Sequence, residues 1–225
     1  MATEQKGTVY DLPLGGTVTI RGMRGHEEDI LTDEKKVKSG EAIDEILKGC
    51  ILEINGEPAT ASKIAELRSP DRLFCMVKIR QETYGDIVEY EHACGCKHVN
   101  YGEVDLSRLP FKERPEGDEF TIEIGGKKVT FTWLDGRKEK ILSKEKNDVI
   151  TVGMMLRIKE VEGVHPNGVR VWLKDLPAAE RMKLRNAMSE TDCGIQTLVE
   201  IDCEGCGRPN RFRVEGQSSF FFPNA

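Results

Sequence analysis

The sequence predicts an α+β fold made of two similar lobes of about 110 residues each, as an internal duplication would produce. Three observations lead to this prediction. Stretches of alternating apolar and polar residues, which are typical of strands, lie between stretches with helical spacing. Glycines and cysteines recur in the same order in both halves, and each half ends in two closely spaced cysteines. A chain of 225 residues is long enough to bury a core in each lobe.

Each predicted lobe opens with a glycine turn between two short strands. The turn is Leu-Gly-Gly at residues 14–16 and Ile-Gly-Gly at residues 124–126, and residues that favour a strand follow both. A helix is then predicted over residues 25–31 and over the parallel stretch 136–142, each of which starts with glycine. The turns and the helices are each separated from their counterparts by nearly the same distance along the chain.

The middle of each lobe contains a strand that runs into a second glycine turn. In the first half an apolar helical stripe ends at Cys50, and residues 51–56 favour a strand followed by a turn at Gly56. Residues 156–163 match this stretch in the second half and end at Gly163. The order of strand and turn is therefore the same in both halves.

A helix followed by glycine comes next in each lobe. In the first half this helix has Ser69 at its N-cap and ends before Gly85. In the second half it lies in the stretch 175–192 and ends before Gly194. The interval along the chain between the two glycines equals the interval between the cysteines that follow them, which makes chance a poor explanation.

A strand and a cysteine pair follow each of these glycines. The strands are predicted over residues 86–93 and 195–202, because apolar and polar residues alternate in the second stretch at all but one place. The predicted lobes are residues 1–110, which end in the first cysteine knuckle, and residues 111–225, which end in the second knuckle and an aromatic tail. Proline, glycine and charged residues near 109–118 favour an exposed connection between them.

The seven cysteines fall into two groups. Cys50, Cys75 and Cys193 lie in or at the end of helical patterns, where a buried free thiol is the usual outcome. The odd number of cysteines and the lack of an apolar N-terminal stretch argue against export and against a disulfide framework. The remaining four form two close pairs: Cys94 with Cys96, and Cys203 with Cys206.

These two pairs predict one structural Zn²⁺ ion shared by the lobes. Thiolates two or three residues apart on a tight turn can bind the same tetrahedral ion, and four sulfur ligands leave no position for a reactive water. The predicted ligands are Cys94, Cys96, Cys203 and Cys206. A shared ion would join two knuckles of the zinc-ribbon type, one from each lobe, across more than a hundred residues of chain.

Besides four free, buried cysteines without a metal, which would require two coincidental close pairs, two alternatives stay open at this site. The first pair, Cys94-Gly-Cys96, is one residue shorter than the usual Cys-x-x-Cys, and the neighbouring His92 or His98 can replace one of the sulfur ligands. The other alternative is a redox dithiol, although such motifs lie at helix N-termini and both pairs here lie between predicted strands. Because four cysteines already complete the coordination of zinc, the all-sulfur site is favoured.

The composition argues against several classes of protein. The formal net charge is −6, from 33 basic and 39 acidic residues, which disfavours a protein that coats nucleic acid. A zinc-ribbon nucleic-acid-binding accessory protein is the second hypothesis, with Arg208, Arg211 and Arg213 as its candidate contacts. No apolar run is long enough for a membrane span, and the sequence contains no phosphate loop, nucleophile elbow or metalloprotease helix. We therefore expect no membrane association, no small-molecule substrate and no enzymatic activity.

The aromatic tail contains Phe220, Phe221 and Phe222 in succession. Three consecutive side chains cannot all face the same side of a strand. In one interpretation the tail folds back and buries two of them on the core of the protein. In the other they bind a neighbouring subunit, because an exposed aromatic cluster is rarely left in water. The three phenylalanines are therefore candidate partner-binding residues.

Short motifs spread over most of the chain add a further line of evidence. They are residues 12–16, 25–31 and 43–50, Tyr84-Gly85, the two cysteine pairs with Gly207, and the closing Phe221-Phe222-Pro223. In these motifs the sequence resembles the T-even-type (contractile-tailed) phage baseplate hub assembly protein family. The cysteine pairs and the aromatic end are the most specific of them, and the Cys-x-Cys spacing departs from the commoner Cys-x-x-Cys.

The resemblance implies a structural subunit or assembly factor of a phage tail baseplate hub, without catalytic activity. Its partners would be other phage baseplate hub or tail proteins. It would be located in the virion, at the tail baseplate, or in the host cytoplasm during assembly. Composition alone implies none of this.

Overall fold

The first half of the chain contains an antiparallel sheet of four strands. In the computed structural model, which describes residues 7–222, the strands are hydrogen-bonded in the order β1 (Thr8–Asp11), β2 (Thr17–Ile20), β3 (Ile51–Ile54) and β4 (Glu57–Pro58). Gly15 and Gly16 lie between β1 and β2, and both have positive φ. The predicted glycine turn at the start of this half is thereby confirmed.

Five helices accompany this sheet: α1 (Gly25–Thr32), α2 (Glu34–Lys38), α3 (Glu41–Cys50), α4 (Ala61–Glu66) and α5 (Ser69–Tyr84). The apolar stripe of α3 faces the core, and Cys50 at its end is buried, as predicted. The predicted N-cap of α5 is wrong by one residue, because Arg68 occupies the cap position. The Ser69 hydroxyl does not cap the helix but donates to the Leu134 carbonyl of the second half at 3.1 Å.

Helix α5 ends at a glycine that leads into a two-stranded ribbon. Gly85 has a left-handed φ of 81°, and its N–H donates to the Gln81 carbonyl at 2.9 Å, which closes the helix. The strands β5 (Ile87–Ala93) and β6 (Val99–Asp105) are antiparallel and form the first ribbon. The tip of this ribbon carries the first cysteine pair.

The second half has a similar order of elements around a three-stranded sheet. The short strand β7 (Phe111–Lys112) precedes this sheet, whose strands are β8 (Phe120–Ile124), β9 (Lys127–Phe131) and β10 (Ile158–Val161). Strand β9 lies in the middle of the sheet, between β8 and β10. The helices are α6 (Gly136–Ser143), α7 (Val149–Arg157), α8 (Val169–Asp175) and α9 (Ala178–Glu190). Gly194 follows α9 and has φ of 81°, as Gly85 does after α5.

The strand predicted over residues 195–202 is interrupted, so this prediction is wrong in part. Strand β11 (Gly194–Ile195) pairs with β7, and the chain then turns away at Gln196, whose N–H donates to the Pro110 carbonyl at 2.8 Å. Only β12 (Leu198–Asp202) pairs with β13 (Pro209–Arg213) and forms the second ribbon. The one place where apolar and polar residues fail to alternate, at Leu198, directly follows this interruption.

Two main hydrophobic clusters fill the two halves. One of them contains only residues between Ile124 and Met188. The other contains residues between Leu12 and Leu106 and also takes in side chains from the end of the chain: Ile195, Val214, Phe220 and Phe221. The last part of the chain therefore packs on the first core, and the division into residues 1–110 and 111–225 stays a prediction.

Helix α6 connects the two halves at a buried arginine of α5. Arg72 is 3% exposed, and its guanidinium donates to Asp44 of α3 at 2.7 Å and to Glu139 of α6 at 2.6 Å. The first residue of α6 is Gly136, where an added Cβ would lie 2.5 Å from Nη1 of Arg72. Only glycine permits this close approach. We refer to the contact of α6 with α3, α4 and α5 as the α6 joint.

The longest helix in residues 7–222 is α5, with 16 residues. No helix of this part of the chain combines the length and the apolar character that a membrane span requires.

Candidate metal centre

The tips of the two ribbons meet, and each tip carries one cysteine pair. The first tip consists of residues 94–98 between β5 and β6, and the second consists of residues 203–208 between β12 and β13. All four sulfur atoms of these pairs lie within 4.8 Å of one another. The structure therefore brings together the four predicted ligands: Cys94, Cys96, Cys203 and Cys206.

The first tip is a tight turn that is closed by a lysine. The Cys94 N–H donates to the His98 carbonyl at 2.9 Å, and the Lys97 N–H donates to the Cys94 carbonyl at 2.8 Å. Lys97 has a φ of 73°, in the left-handed region. This conformation costs a residue with a Cβ about 1–2 kcal/mol. The short Cys-x-Cys spacing thus forms a closed turn with strain at one residue.

The second tip has the same pattern of hydrogen bonds with one additional residue. The Cys203 N–H donates to the Arg208 carbonyl at 2.9 Å, and the Gly207 N–H donates to the Cys203 carbonyl at 2.7 Å. Gly207 has a φ of 67°, which glycine adopts without a steric penalty. Gly207 and Lys97 therefore have the same position in their turns, and the additional residue lies between Cys203 and Gly207.

The distances between sulfur atoms fit a tetrahedral metal ion. The Sγ atoms of Cys94 and Cys206 are 3.8 Å apart, and those of Cys96 and Cys203 are 3.6 Å apart. Bonds of about 2.3 Å from zinc to sulfur, in tetrahedral geometry, separate the sulfur atoms by about 3.8 Å. A disulfide requires about 2.05 Å, so these cysteines are free thiols, and together they can hold a metal ion.

Backbone N–H groups near the cluster favour ionised sulfur. Donation from the Cys96 N–H lowers the thiol pKa of Cys94 to about 6. Burial raises the pKa of Cys203, but donation from the N–H groups of Gly205 and Cys206 outweighs it and lowers this pKa overall. A backbone N–H also lowers the pKa of Cys96, but the neighbouring thiols and burial outweigh that effect and raise it to about 11. One thiol in each tip thus has a lowered pKa, and a bound cation favours the thiolate form of the sulfur atoms that bind it.

A buried asparagine connects the two tips. Asn100 of β6 is 2% exposed, and its Oδ1 accepts from the Glu204 N–H of the second tip at 3.0 Å. Its Nδ2 donates to the His92 carbonyl of β5 at 3.2 Å. Sequence reasoning missed this residue. The one available signal is that asparagine is disfavoured in strands, so its presence in β6 calls for a specific partner.

Neither histidine near the first tip belongs to the cluster found in the described residues. The His92 imidazole stacks on Phe212 of β13, with ring centroids 5.0 Å apart and planes inclined by 23°. The ring of Tyr90 lies 4.9 Å from the same phenylalanine, so an aromatic layer lies between the ribbons. His98 packs against Gly205, where an added Cβ would lie 2.8 Å from the Cβ of the histidine. Both histidines therefore pack one ribbon on the other.

The aromatic tail folds back on the first core. Phe220 and Phe221 are 0% and 7% exposed and contact each other edge to face, with centroids 4.7 Å apart. Phe222 is partly buried against the same core, and Pro223 lies outside the described residues. This arrangement corresponds to the first of the two interpretations of the tail. A partner-binding role of the three phenylalanines stays a prediction.

The arginines considered for nucleic-acid contacts lie on the second ribbon and its tip. Arg211 pairs with Glu200 at 2.6 Å, and Arg213 lies 3.8 Å from a carboxylate oxygen of Glu215. Two of the three positive charges are thus partly neutralised by acidic neighbours, whereas no such pair is found for Arg208 among the described residues.

Fold and cluster together define a class of protein: an α+β chain in which two ribbons meet at four sulfur ligands. A donor set of four thiolates leaves no coordination position for water or substrate and is typical of structural metal sites. In residues 7–222 this cluster is the only group of three or more potential metal ligands.

Comparison with known proteins then places the chain in a family. A family model described as T4 bacteriophage base plate protein matches residues 5–222, which is nearly the whole chain. The chain therefore belongs to the T4 bacteriophage base plate protein family, and the resemblance found in the sequence is confirmed. Membership of this family supports a structural role in a phage baseplate. No curated protein and no solved structure matches the chain.

Proposed function

We propose that this protein is a structural subunit or assembly factor of the phage tail baseplate hub, and that one structural zinc ion joins its two ribbons. The observation that carries this proposal is the cluster of four sulfur atoms from residues 94–96 and 203–206, in a chain that belongs to a baseplate family. Thiolates select soft metal ions, and four of them complete the tetrahedral coordination of zinc. The role of the protein is then to hold binding surfaces in a fixed arrangement.

The proposed zinc stabilises the fold because it closes a long segment of chain. Cys96 and Cys203 lie 107 positions apart. In the chain-entropy model, a cross-link over a loop of this length stabilises the folded state by roughly 4–5 kcal/mol. Because the complete set of ligands forms only in the folded chain, this stabilisation is part of the free energy of zinc binding. The ion also fixes the angle between the ribbons, which Asn100 and the aromatic layer align.

We further propose that the two halves descend from one duplicated α+β unit, whose zinc-ribbon-like knuckles are the two ribbons. A shared irregularity supports this proposal. In the first sheet Leu52 is left out of the ladder between β2 and β3 as a β-bulge, and in the second sheet Lys159 is left out between β9 and β10. The two residues have corresponding positions in their lobes. Inheritance from one unit explains why the same bulge occurs twice, since bulges are retained within families.

A side-chain contact supports the duplication independently. Arg72 of α5 donates to Asp44 of α3 at 2.7 Å. Arg181 of α9 donates to Thr151 of α7 at 2.9 Å. The interval along the chain between the two arginines equals the interval between the glycines that follow α5 and α9. Arginine therefore reaches from the last helix to the preceding long helix at the same place in both halves.

The proposed partners are other phage baseplate hub or tail proteins. The proposed location is the tail baseplate of the virion or the host cytoplasm during assembly. Phe222 is the member of the aromatic tail that is partly accessible to a partner. Nucleic acid is not among the proposed partners, because two of the three candidate arginines pair with glutamates. The proposal includes neither a small-molecule substrate nor catalysis.

Metal analysis tests the zinc proposal. Purified protein is expected to contain close to one zinc ion per chain, and Cys203→Ser is expected to lose it because three sulfur atoms do not complete the site. Cys193→Ala is the matched control, since Cys193 is buried and lies outside the cluster. Protein that is fully folded without metal, or a Cys203→Ser variant that keeps its zinc, would contradict the proposal.

Phage genetics tests the baseplate role. Infection with phage that carry a nonsense mutation in this gene is expected to yield lysates without complete baseplates in electron micrographs. The wild-type protein supplied from a plasmid should restore complete tails, and Cys203→Ser should restore few. Normal tails in the absence of the protein would overturn the proposed role.

A further inference from the structure

The α6 joint shows how a helix of one half docks on the other half. Gly136 at the start of α6 lies against the guanidinium of Arg72, which also pairs with Glu139 at 2.6 Å. Farther from the buried arginine, Arg137 of α6 pairs with Glu66 of α4 at 2.9 Å. The joint thus has three parts: a glycine that leaves space for an arginine side chain, a buried ion pair, and a basic helix packed on an acidic face.

If the halves are repeats, both sides of this joint occur a second time in each chain. Helix α1 is the counterpart of α6, because both helices begin with glycine and Glu28 has the same place in α1 as Glu139 has in α6. The face formed by α7, α8 and α9 is the counterpart of the face on which α6 docks, with Arg181 in the place of the buried arginine. We name α1 the donor helix and the face of α7, α8 and α9 the acceptor face. No hydrogen bond or ion pair connects the two among the described residues.

Neither the backbone conformation nor a close contact within residues 7–222 requires glycine at position 25. It is not among the glycines with positive φ. A Cβ built at Gly25 would meet no atom of the described residues within 4 Å, whereas a Cβ at Gly136 would lie 2.5 Å from the guanidinium of Arg72. Glycine also weakens a helix relative to alanine. The space beside Gly25 therefore corresponds to the space that an arginine fills at the α6 joint.

The acceptor face presents an oriented arginine and exposed apolar side chains. Arg181 is half-buried, and Thr151 holds its Nη2 at 2.9 Å, as an acid on α3 holds the corresponding arginine in the first half. Val171 of α8 and Met182 of α9 are 62% and 53% exposed. Apolar side chains together with a fixed arginine are enriched in protein interfaces.

The charges of the donor helix and the acceptor face are opposite. Helix α1 exposes Asp29 and Glu28, which also accepts from the Tyr84 hydroxyl of its own chain. Helix α8 exposes Arg170 and Lys174. Both cations contact Asp148 at 2.6 Å, and Arg170 also lies 4.0 Å from Glu145. Arg181 adds a third positive charge, for which no acidic partner is found among the described residues, and this leaves the face basic. At the α6 joint the signs are reversed, with a basic helix on an acidic face. Helix α1 is therefore complementary in charge to the acceptor face, and α6 to the face of α3, α4 and α5. Like charges disfavour the binding of either helix to the other face.

We propose that copies of this protein associate head to tail, with the donor helix of one copy on the acceptor face of the next. In this contact Glu28 of one copy pairs with Arg181 of the next copy. The guanidinium of that arginine lies against Gly25 of the first copy. A contact between two unlike surfaces builds closed rings or open chains, whereas a twofold dimer uses the same surface on both copies. This inference rests on the duplication proposed above.

Sedimentation velocity of the full-length, zinc-loaded protein tests the inference. The fraction of wild-type protein in oligomers is expected to rise with protein concentration. Gly25→Leu obstructs the donor helix, and Arg181→Glu reverses the charge of the acceptor face, so each variant alone should be monomeric. Since Gly25 faces open space, leucine should not disturb the fold, and zinc content and melting temperature verify both variants. Leu198→Glu on the second ribbon changes an exposed apolar residue elsewhere and should associate as the wild type does.

Mixing the two monomeric variants tests the head-to-tail geometry itself. Gly25→Leu keeps an intact acceptor face, and Arg181→Glu keeps an intact donor helix. An equimolar mixture should therefore form dimers and no larger species. A mixture that stays monomeric overturns the inference. Wild-type protein that contains zinc but is monomeric at every concentration also overturns it, while the zinc proposal stands.

Discussion

The two halves of the molecule meet at the ribbon tips and at the α6 joint, among other places, and different forces act at these two. At the ribbon tips corresponding segments meet, and four thiols converge that need a cation to ionise together. At the α6 joint unlike segments meet, and the chain itself supplies both the buried cation, Arg72, and its carboxylates. The first contact therefore depends on an ion from solution, whereas the second is complete within the sequence.

Removal of zinc should show the difference between these two contacts most clearly, because only the ribbon tips are expected to depend on the ion. We expect chelation to lower the free energy of unfolding by more than about 5 kcal/mol, because the free energy of zinc binding to the folded chain is lost. Hydrogen exchange measured by mass spectrometry should show lost protection in residues 87–105 and 198–213, with α6 and α5 still protected. Ribbons that keep their protection after chelation would show that the tips do not depend on a metal.

Loss of the buried arginine should break the other contact. Arg72→Ala leaves Asp44 and Glu139 without their cation, and breaking a buried ion pair typically costs about 3–5 kcal/mol. The zinc content should not change. Arg181→Ala is the matched control, since a single bond to Thr151 at a half-buried site should contribute only about 1 kcal/mol. Urea denaturation at low protein concentration measures the free energy of unfolding of both variants. Equal losses of stability would contradict the expected difference between the two arginines.

A carboxyl beside the joint should make stability depend on pH. Burial raises the pKa of Asp71, which is 6% exposed, to about 6, although donation from the Leu14 N–H opposes this shift. An unfolded aspartate titrates near about 3.9, so folding is favoured at low pH and loses stability as pH rises through 6. Ionisation at neutral pH costs roughly 3 kcal/mol, and about half of this cost is already present at pH 5.

Asp71→Asn removes this ionisation and keeps the oxygen that accepts from Leu14. The substitution should therefore stabilise the protein more at pH 7.5 than at pH 5, by about 1 kcal/mol. Thermal unfolding of both proteins at the two pH values gives this difference. An effect that is independent of pH between 5 and 7.5 would mean that the pKa of the buried carboxyl is not raised in the folded protein.

The smallest expected effect compares the two tips with each other. Lys97→Gly should stabilise the zinc-loaded protein by up to about 1 kcal/mol, because glycine adopts a positive φ without strain. Gly207→Ala should destabilise it by a similar amount for the opposite reason. Urea denaturation can resolve the two signs. If both substitutions destabilise, the two residues do not have the same position in their turns.

Local signals made much of this molecule predictable from its sequence. Gly85 and Gly194 end helices because both adopt a φ of 81°, and this requirement is visible as glycine at a constant spacing. The cysteine pairs lie at ribbon tips because alternating strands flank them. The repeat then implied that the two tips face each other, and the sulfur atoms are indeed brought together.

Contacts between distant parts of the chain were not predictable. Arg72 is one of many charged residues on helices, and only the arrival of α6 buries it. Asn100 accepts from Glu204, which lies 104 positions away along the chain, and no local pattern indicates this contact. The strand after α9 is interrupted at Gln196 because the connection between the halves supplies β7 as a partner, and no local pattern records that pairing.

The cysteine cluster has a consequence for biosynthesis. The ribosome synthesises the first tip early, and Cys203 follows Cys96 only after 107 further positions. During this interval the nascent chain holds two thiols that have no partners from the second tip. A copy that terminates prematurely, before Cys206, can never assemble the complete set of four. The complete cluster therefore forms only in copies that extend at least to Cys206.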